Sequence, residues 1–165
     1  MNSDTIPPIT DPENANNTIY ENIDKANCFN RYFISQSTVT GADDNPPHIP
    51  TSNVIMPEIV LSVHEVENVI KNLESNKAVG PDLIHNRVIK AASPVIARAL
   101  TLLFNKSLSE GHFPRCWKTA HITPIHKKDN RSICSNYRPI SLLSCIGKVL
   151  EKMYTEKIAS FFKRK

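Results

Sequence analysis

The chain contains no uninterrupted apolar run of about eighteen residues, so no segment is expected to span a membrane. Its first residues carry Asp4 and Pro7-Pro8 where a secretory signal needs a basic and then an apolar stretch. The expectation is a cytoplasmic or nuclear protein that is not secreted. The four cysteines, Cys28, Cys116, Cys134 and Cys145, show neither Cys-x-x-Cys spacing nor a disulfide framework, and they read as reduced thiols. There is no GxxxxGK[ST] loop, no HExxH and no GxSxG, so the commonest ATPase, metalloprotease and hydrolase signatures are excluded. No internal repeat is visible at any useful period.

What remains has ordinary globular proportions: 165 residues, 40% hydrophobic and 22% charged, one domain's worth at most. The net charge of +4 conceals an asymmetry. Residues 1–82 hold four Lys/Arg against twelve Asp/Glu, whereas residues 83–165 hold sixteen against four. A half as basic as the second points to a polyanion such as nucleic acid, with a solvated Lys/Arg surface as the plain alternative.

Residues 1–17, rich in Pro, Asn and Asp, read as a flexible leader. Thr18 and Glu21 make a Thr-x-x-Glu capping box, so a helix is expected from Thr18 to about Ser35, with Ile19, Ile23, Ala26, Phe29 and Phe33 on its apolar face. Gly41, Pro46, Pro47, Pro50 and Pro57 break the next stretch into a linker. A second box, Ser62-x-x-Glu65, opens a helix bearing Val66, Val69, Ile70 and Leu73. After a Gly80-Pro81-Asp82 turn, a short helix over Asn86–Ala92 is expected to stop, and a new one to start with Ser93 as cap and Pro94 at its first position. That helix carries Ile96, Leu100, Leu103, Phe104 and Leu108 and ends at Gly111. Trp117–Ile125 and Pro139–Leu143 read as two strands of a hairpin around a polar loop, His126–Asn136. Ser144 then caps a last helix with Ile146, Val149, Leu150, Met153, Ile158 and Phe161. Helices, one hairpin and a further helix make the fold class α+β.

Two constellations bear on chemistry. His112, Cys116, His121 and His126 are metal-ligating residue types, but their spacing matches no common zinc module, and ordinary surface histidines are the simpler reading. The hairpin is more informative. Lys127, Lys128 and Arg131 stand in its loop and Arg138 on its returning strand. Cations so grouped suit a triphosphate, with Arg supplying a planar fork and Lys a mobile point charge. The structural alternative is a basic surface hairpin whose Arg138 pairs with a carboxylate. Ala42-Asp43-Asp44 resembles the end of a metal-holding aromatic-x-Asp-Asp motif, yet it lacks the aromatic residue and lies in the Pro-rich linker, so it reads as a solvated acidic loop.

Several strings carry a resemblance. They are Lys77-Ala78-Val79-Gly80-Pro81-Asp82-Leu83-Ile84, Leu103-Phe104-Asn105-Lys106-Ser107-Leu108 and Gly111-His112-Phe113-Pro114-Arg115-Cys116-Trp117-Lys118. Three more follow: Ile122-Thr123-Pro124-Ile125-His126-Lys127-Lys128, Asn136-Tyr137-Arg138-Pro139-Ile140-Ser141-Leu142-Leu143-Ser144 and Gly147-Lys148-Val149-Leu150-Glu151. In this order they resemble the front of a non-LTR retrotransposon reverse transcriptase of the jockey-like LINE type. The likeness covers about residues 60–165, and residues 18–57 more softly resemble the connector after the endonuclease.

The resemblance implies a partial reverse transcriptase domain over 58–165, preceded by a helix and Pro-rich connector over 18–57. It implies that Lys77, Gly80, Pro81 and Asp82 help hold the RNA template, and that Lys127, Lys128 and Arg138 face the incoming dNTP. Many members have Gly at the position of Leu83, so the local turn is open to change. It also implies RNA template, DNA primer and dNTP as partners of the full-length enzyme, no membrane, and Mg2+ as the full-length enzyme's cofactor, with none in this chain. The metal-binding aspartates of the family's palm are not among these 165 residues, so the chain alone is expected to be an inactive fragment of an RNA-directed DNA polymerase. The alternatives are a non-catalytic nucleic-acid-binding protein and, more remotely, a zinc-dependent interaction domain.

Overall fold

The computed structural model describes residues 5–37, 48 and 54–163. Most of the Pro-rich linker, including Ala42-Asp43-Asp44, lies outside the described residues. The chain divides into two packed units: residues 1–50 with 122–141, and residues 51–121 with 142–165. Packing therefore groups most of the basic hairpin with the N-terminal segment.

The first unit opens on a hairpin that the sequence pattern does not announce. Strands β1 (Ile9–Asp11) and β2 (Asn14–Ile19) pair antiparallel, Ile9 opposite Ile19 and Thr10 opposite Thr18. The expected leader is therefore partly structured, and Thr18 lies in a strand instead of capping a helix. Helix α1 begins later, at Asn22, and runs to Ser37. The physical reason is long-range. The Thr10 amide donates to the Ser132 carbonyl at 2.8 Å, and Thr10 bridges Ile133. Ile9 is fully buried beside Cys28, Phe29, Cys134 and Tyr137. Partners more than a hundred residues away give β1 the pairing that local propensity would not.

In the second unit the Ser62–Glu65 box forms as read. The Glu65 amide donates to Ser62 Oγ at 3.3 Å, and the Ser62 amide donates to Glu65 Oε2 at 2.8 Å. Helix α2 (Val63–Lys71) buries Val66, Val69 and Ile70. Helix α3 runs unbroken from Asn86 to Ser109, straight through Pro94. The expected break at Ser93-Pro94 is thus corrected. Ser93 is buried with its hydroxyl unpartnered, so it caps nothing. The face carrying Ile89, Ala97, Leu100 and Phe104 packs continuously into the core, and that burial outweighs the hydrogen bond a proline forfeits. By length and composition α3 is also apolar enough to cross a bilayer, which counting uninterrupted runs does not register.

Trp117 lies not in a strand but in α4, a single turn over Arg115–Lys118, where its ring meets Phe104 and Phe113 edge-on. Strand β3 follows at Ala120–His126 and pairs with β4, Tyr137–Leu143. Helix α5 (Cys145–Lys163) starts where Ser144 Oγ accepts from the Gly147 amide at 3.5 Å, and it buries Val149, Leu150 and Met153. The class is α+β; the described residues form five α-helices and two small hairpins where one hairpin was expected.

Candidate nucleic-acid interface

The β3–β4 hairpin owes its loop shape to asparagine chemistry. The Ser132 amide donates to Asn130 Oδ1 at 2.9 Å, and Asn136 Nδ2 donates to the Asn130 carbonyl at 2.8 Å. Asp129 takes φ +65°, the left-handed region that Asn and Asp tolerate best after glycine. The Lys127 amide closes the loop on the Asn136 carbonyl at 2.8 Å. Tyr137 anchors this arrangement. Its ring is buried edge-on to Phe29 (4.9 Å between centroids) and to His126 (5.2 Å), and its hydroxyl donates to the Arg131 carbonyl at 2.7 Å.

Strand alternation then places Arg138 in solvent next to the buried Tyr137. Lys127 and Lys128 are exposed as well. Among the described residues Arg138 and Lys128 enter no ion pair or hydrogen bond, while the Lys127 ammonium donates to the Ser135 carbonyl at 3.4 Å. The carboxylate partner that a purely structural role for Arg138 would call for is absent among the described residues. Across residues 120–143 four cations face one acid, Asp129. Such a surface attracts phosphate oxygens.

The second predicted group forms one turn in the other unit. Gly80 is buried against the end of β4: a Cβ there would lie 2.5 Å from the Leu143 carbonyl carbon and 2.6 Å from the Ser144 amide nitrogen. The Leu83 amide donates to the Gly80 carbonyl at 3.1 Å, and the Ile84 amide donates to Asp82 Oδ1 at 3.2 Å. Leu83 has φ +55°, so the left-handed turn survives without glycine. Pro81 is half-buried and Asp82 exposed; Lys77 is exposed and paired with Glu74 at 3.0 Å. The structure thus gathers Lys127, Lys128 and Arg138 on one hairpin and Lys77, Gly80, Pro81 and Asp82 on one turn.

Two local features escaped the sequence reading. Tyr137 is the loop's anchor, and a large aromatic flanking a basic strand is the signal that would have found it. Gly80 is a close-packing position, which no residue pattern encodes. Burial pushes the Cys145 thiol up, and the Glu65 carboxyl is held at about 2, chiefly by its hydrogen bond from Lys157. Among the described residues no group of three or more His, Cys, Asp or Glu is placed to hold a metal ion. The set His112, Cys116, His121 and His126 is thus not drawn together as a metal-binding group. A mainly apolar cavity of about 640 Å³ lies beside Phe113, Trp117 and Tyr154, and its Ser107 hydroxyl donates to the His112 carbonyl at 2.6 Å.

Comparison with known proteins agrees with the motif resemblance. The chain is 36% identical over 104 residues to an RNA-directed DNA polymerase from mobile element jockey of Drosophila melanogaster, covering 62% of this chain and 11% of that protein. The jockey polymerase of Drosophila funebris matches at 35% over the same share of each chain. A retrovirus-related Pol polyprotein from the type-1 retrotransposable element R1 of Bradysia coprophila is 32% identical over 100 residues, 59% of this chain and 10% of that protein. The chain thus spans about a tenth of the length of the curated relatives it matches. No protein-family model matches it. Over this stretch the chain resembles a piece of the RNA-directed DNA polymerases of non-LTR retrotransposons.

Proposed function

We propose that this chain supplies template- and nucleotide-positioning surface to an RNA-directed DNA polymerase of the non-LTR retrotransposon type. The observation that carries the reading is the β3–β4 hairpin. Its exposed Arg138 and Lys128 have no carboxylate partner among the described residues, and its loop is fixed from behind by Tyr137. A cation held without a protein partner on a braced strand is pre-organised for a mobile anion. Arg138 would engage triphosphate oxygens as a fork. Lys128 would add a point charge, and Lys127 would contribute less because a backbone carbonyl already occupies its ammonium. The Lys77–Asp82 turn would meet the template. Its part is to present Lys77 and Asp82 from a loop set by Gly80, with no chemistry of its own. The chemical step of polymerisation is not assigned to any residue here.

The test is nucleotide and RNA binding by the full 165-residue chain and its Arg138→Ala variant, with a melting curve for each. Loss of a charge-assisted hydrogen bond costs roughly 1.5–3 kcal/mol, about ten- to a hundredfold in affinity for a deoxynucleoside triphosphate. Affinity for single-stranded RNA is expected to change much less. Lys127→Ala acts in the same direction by a smaller factor, and Lys148→Ala on α5 is the control. Unchanged triphosphate affinity in a well-folded Arg138→Ala chain removes the phosphate role. A fall in melting temperature that accounts for the whole loss returns Arg138 to a structural one.

A further inference from the structure

We infer that Cys28 and Cys134 form an oxidation site, at which a peroxide-class oxidant joins the two sulfurs in a disulfide tying α1 to the basic hairpin loop. The sulfurs lie 3.7 Å apart, within sulfur hydrogen-bond range, although 106 positions separate them in sequence. A disulfide brings sulfurs to roughly 2.05 Å, so closure asks for side-chain rotation and a small backbone adjustment. Both are buried, in a cluster with Ile9, Phe29 and Tyr137 that holds the unit's two sequence-distant segments together. The remaining thiols differ: Cys116 is exposed, and Cys145 is buried in the second unit.

The chemistry balances with hydrogen peroxide as oxidant. One sulfur, as thiolate, attacks a peroxide oxygen; the O–O bond breaks, a sulfenic acid forms, and the departing hydroxide takes up a proton as water. The second sulfur attacks the first, the S–O bond breaks, the S–S bond forms, and a second water leaves with the second thiol's proton. Two thiols and one peroxide give one disulfide and two waters; the sulfurs lose the two electrons that the peroxide oxygens gain. Burial, followed by the hydrogen bond with Cys28, pushes the Cys134 thiol up to about 12, and both sulfurs are shut away from solvent while the cluster stays packed. Reaction therefore follows opening of the loop from α1, and the pair responds to sustained oxidant more than to a brief pulse. Once formed, the link removes chain freedom from the unfolded state across a loop of about a hundred residues. This inference does not depend on what the basic hairpin binds.

The experiment treats the full chain carrying Cys116→Ser with hydrogen peroxide, alkylates remaining thiols in denaturant, and maps peptides without reduction. A Cys28–Cys134 linked peptide is expected, together with a melting temperature raised by roughly 5–15 °C and restored by dithiothreitol. Adding Cys134→Ser should abolish both. If that variant does not fold, the peptide map of the Cys116→Ser chain decides by itself. Recovery of Cys28 and Cys134 as alkylated thiols after prolonged oxidation overturns the inference. So does a link from either residue to Cys145, or a linked chain that melts no higher.

Discussion

Leu83 occupies a backbone conformation that suits glycine and strains leucine. At φ +55° its Cβ crowds the following carbonyl, a cost of roughly 1–2 kcal/mol. The side chain recovers little of that, being 68% exposed. Leu83→Gly is therefore expected to stabilise the chain, by about 0.5–1 kcal/mol after glycine's own entropic cost is set against the relief of strain. Three positions earlier the logic inverts. Gly80→Ala drives a methyl group into the Leu143–Ser144 backbone, which has no flexible end to swing aside. A loss of about 2–3 kcal/mol is expected. Denaturant titration of both variants checks the pair, and a neutral Gly80→Ala would refute the close approach. The Gly80-Pro81-Asp82 string announces a turn, but nothing in it says that the turn lies on the exit of β4. That contact follows from long-range packing.

Among the elements, α2 is the one whose sequence and structure agree most fully. Its cap is local, so the Ser62–Glu65 pattern suffices to specify it. Tertiary structure adds a second task, because Glu65 also receives the Lys157 ammonium of α5. This pairing and the cap hold the carboxyl at about 2, below its ordinary 4.5. A depressed folded-state value means that the stabilisation is complete above pH 4.5 and fades as pH falls towards 2. The side chain is 40% exposed, so solvent screening limits the effect to about 1 kcal/mol. Melting curves between pH 2 and 6 should show this acid-linked loss in the parent chain and its absence in Glu65→Gln, which retains an amide able to serve the cap. An identical pH profile for the two chains would contradict the assignment. In α3, by contrast, Ser93-Pro94 is a sound local start signal that continuous burial overrides.

For the whole molecule, the charge asymmetry predicts that the proposed RNA binding is salt-dependent. If Lys127, Lys128 and Arg131 each displace one counterion from a single strand, log affinity falls against log salt with a slope of about −2. Lys128→Ala should lower that slope by roughly one contact's worth, without changing preference among RNA sequences. Equilibrium titrations across a salt series check this. A flat salt response would remove the hairpin from any polyanion interface.

The sequence by itself determined the α+β class, the α2 cap, the basic hairpin and the resemblance to retrotransposon polymerases. Each depends on residues close together in the chain, where periodicity, capping chemistry and motif order act. Tertiary structure decided what depends on distant partners. Residues 9–19 became a hairpin because Thr10 meets Ser132 and Ile133. Trp117 turned into a helix because Phe104 and Phe113 receive its ring. The loop bearing Lys127 and Lys128 is set by the Tyr137 side chain, and Cys28 stands against Cys134 across 106 positions. Local energies of a few tenths to about one kcal/mol per residue propose such elements, and burial worth more than that selects among them.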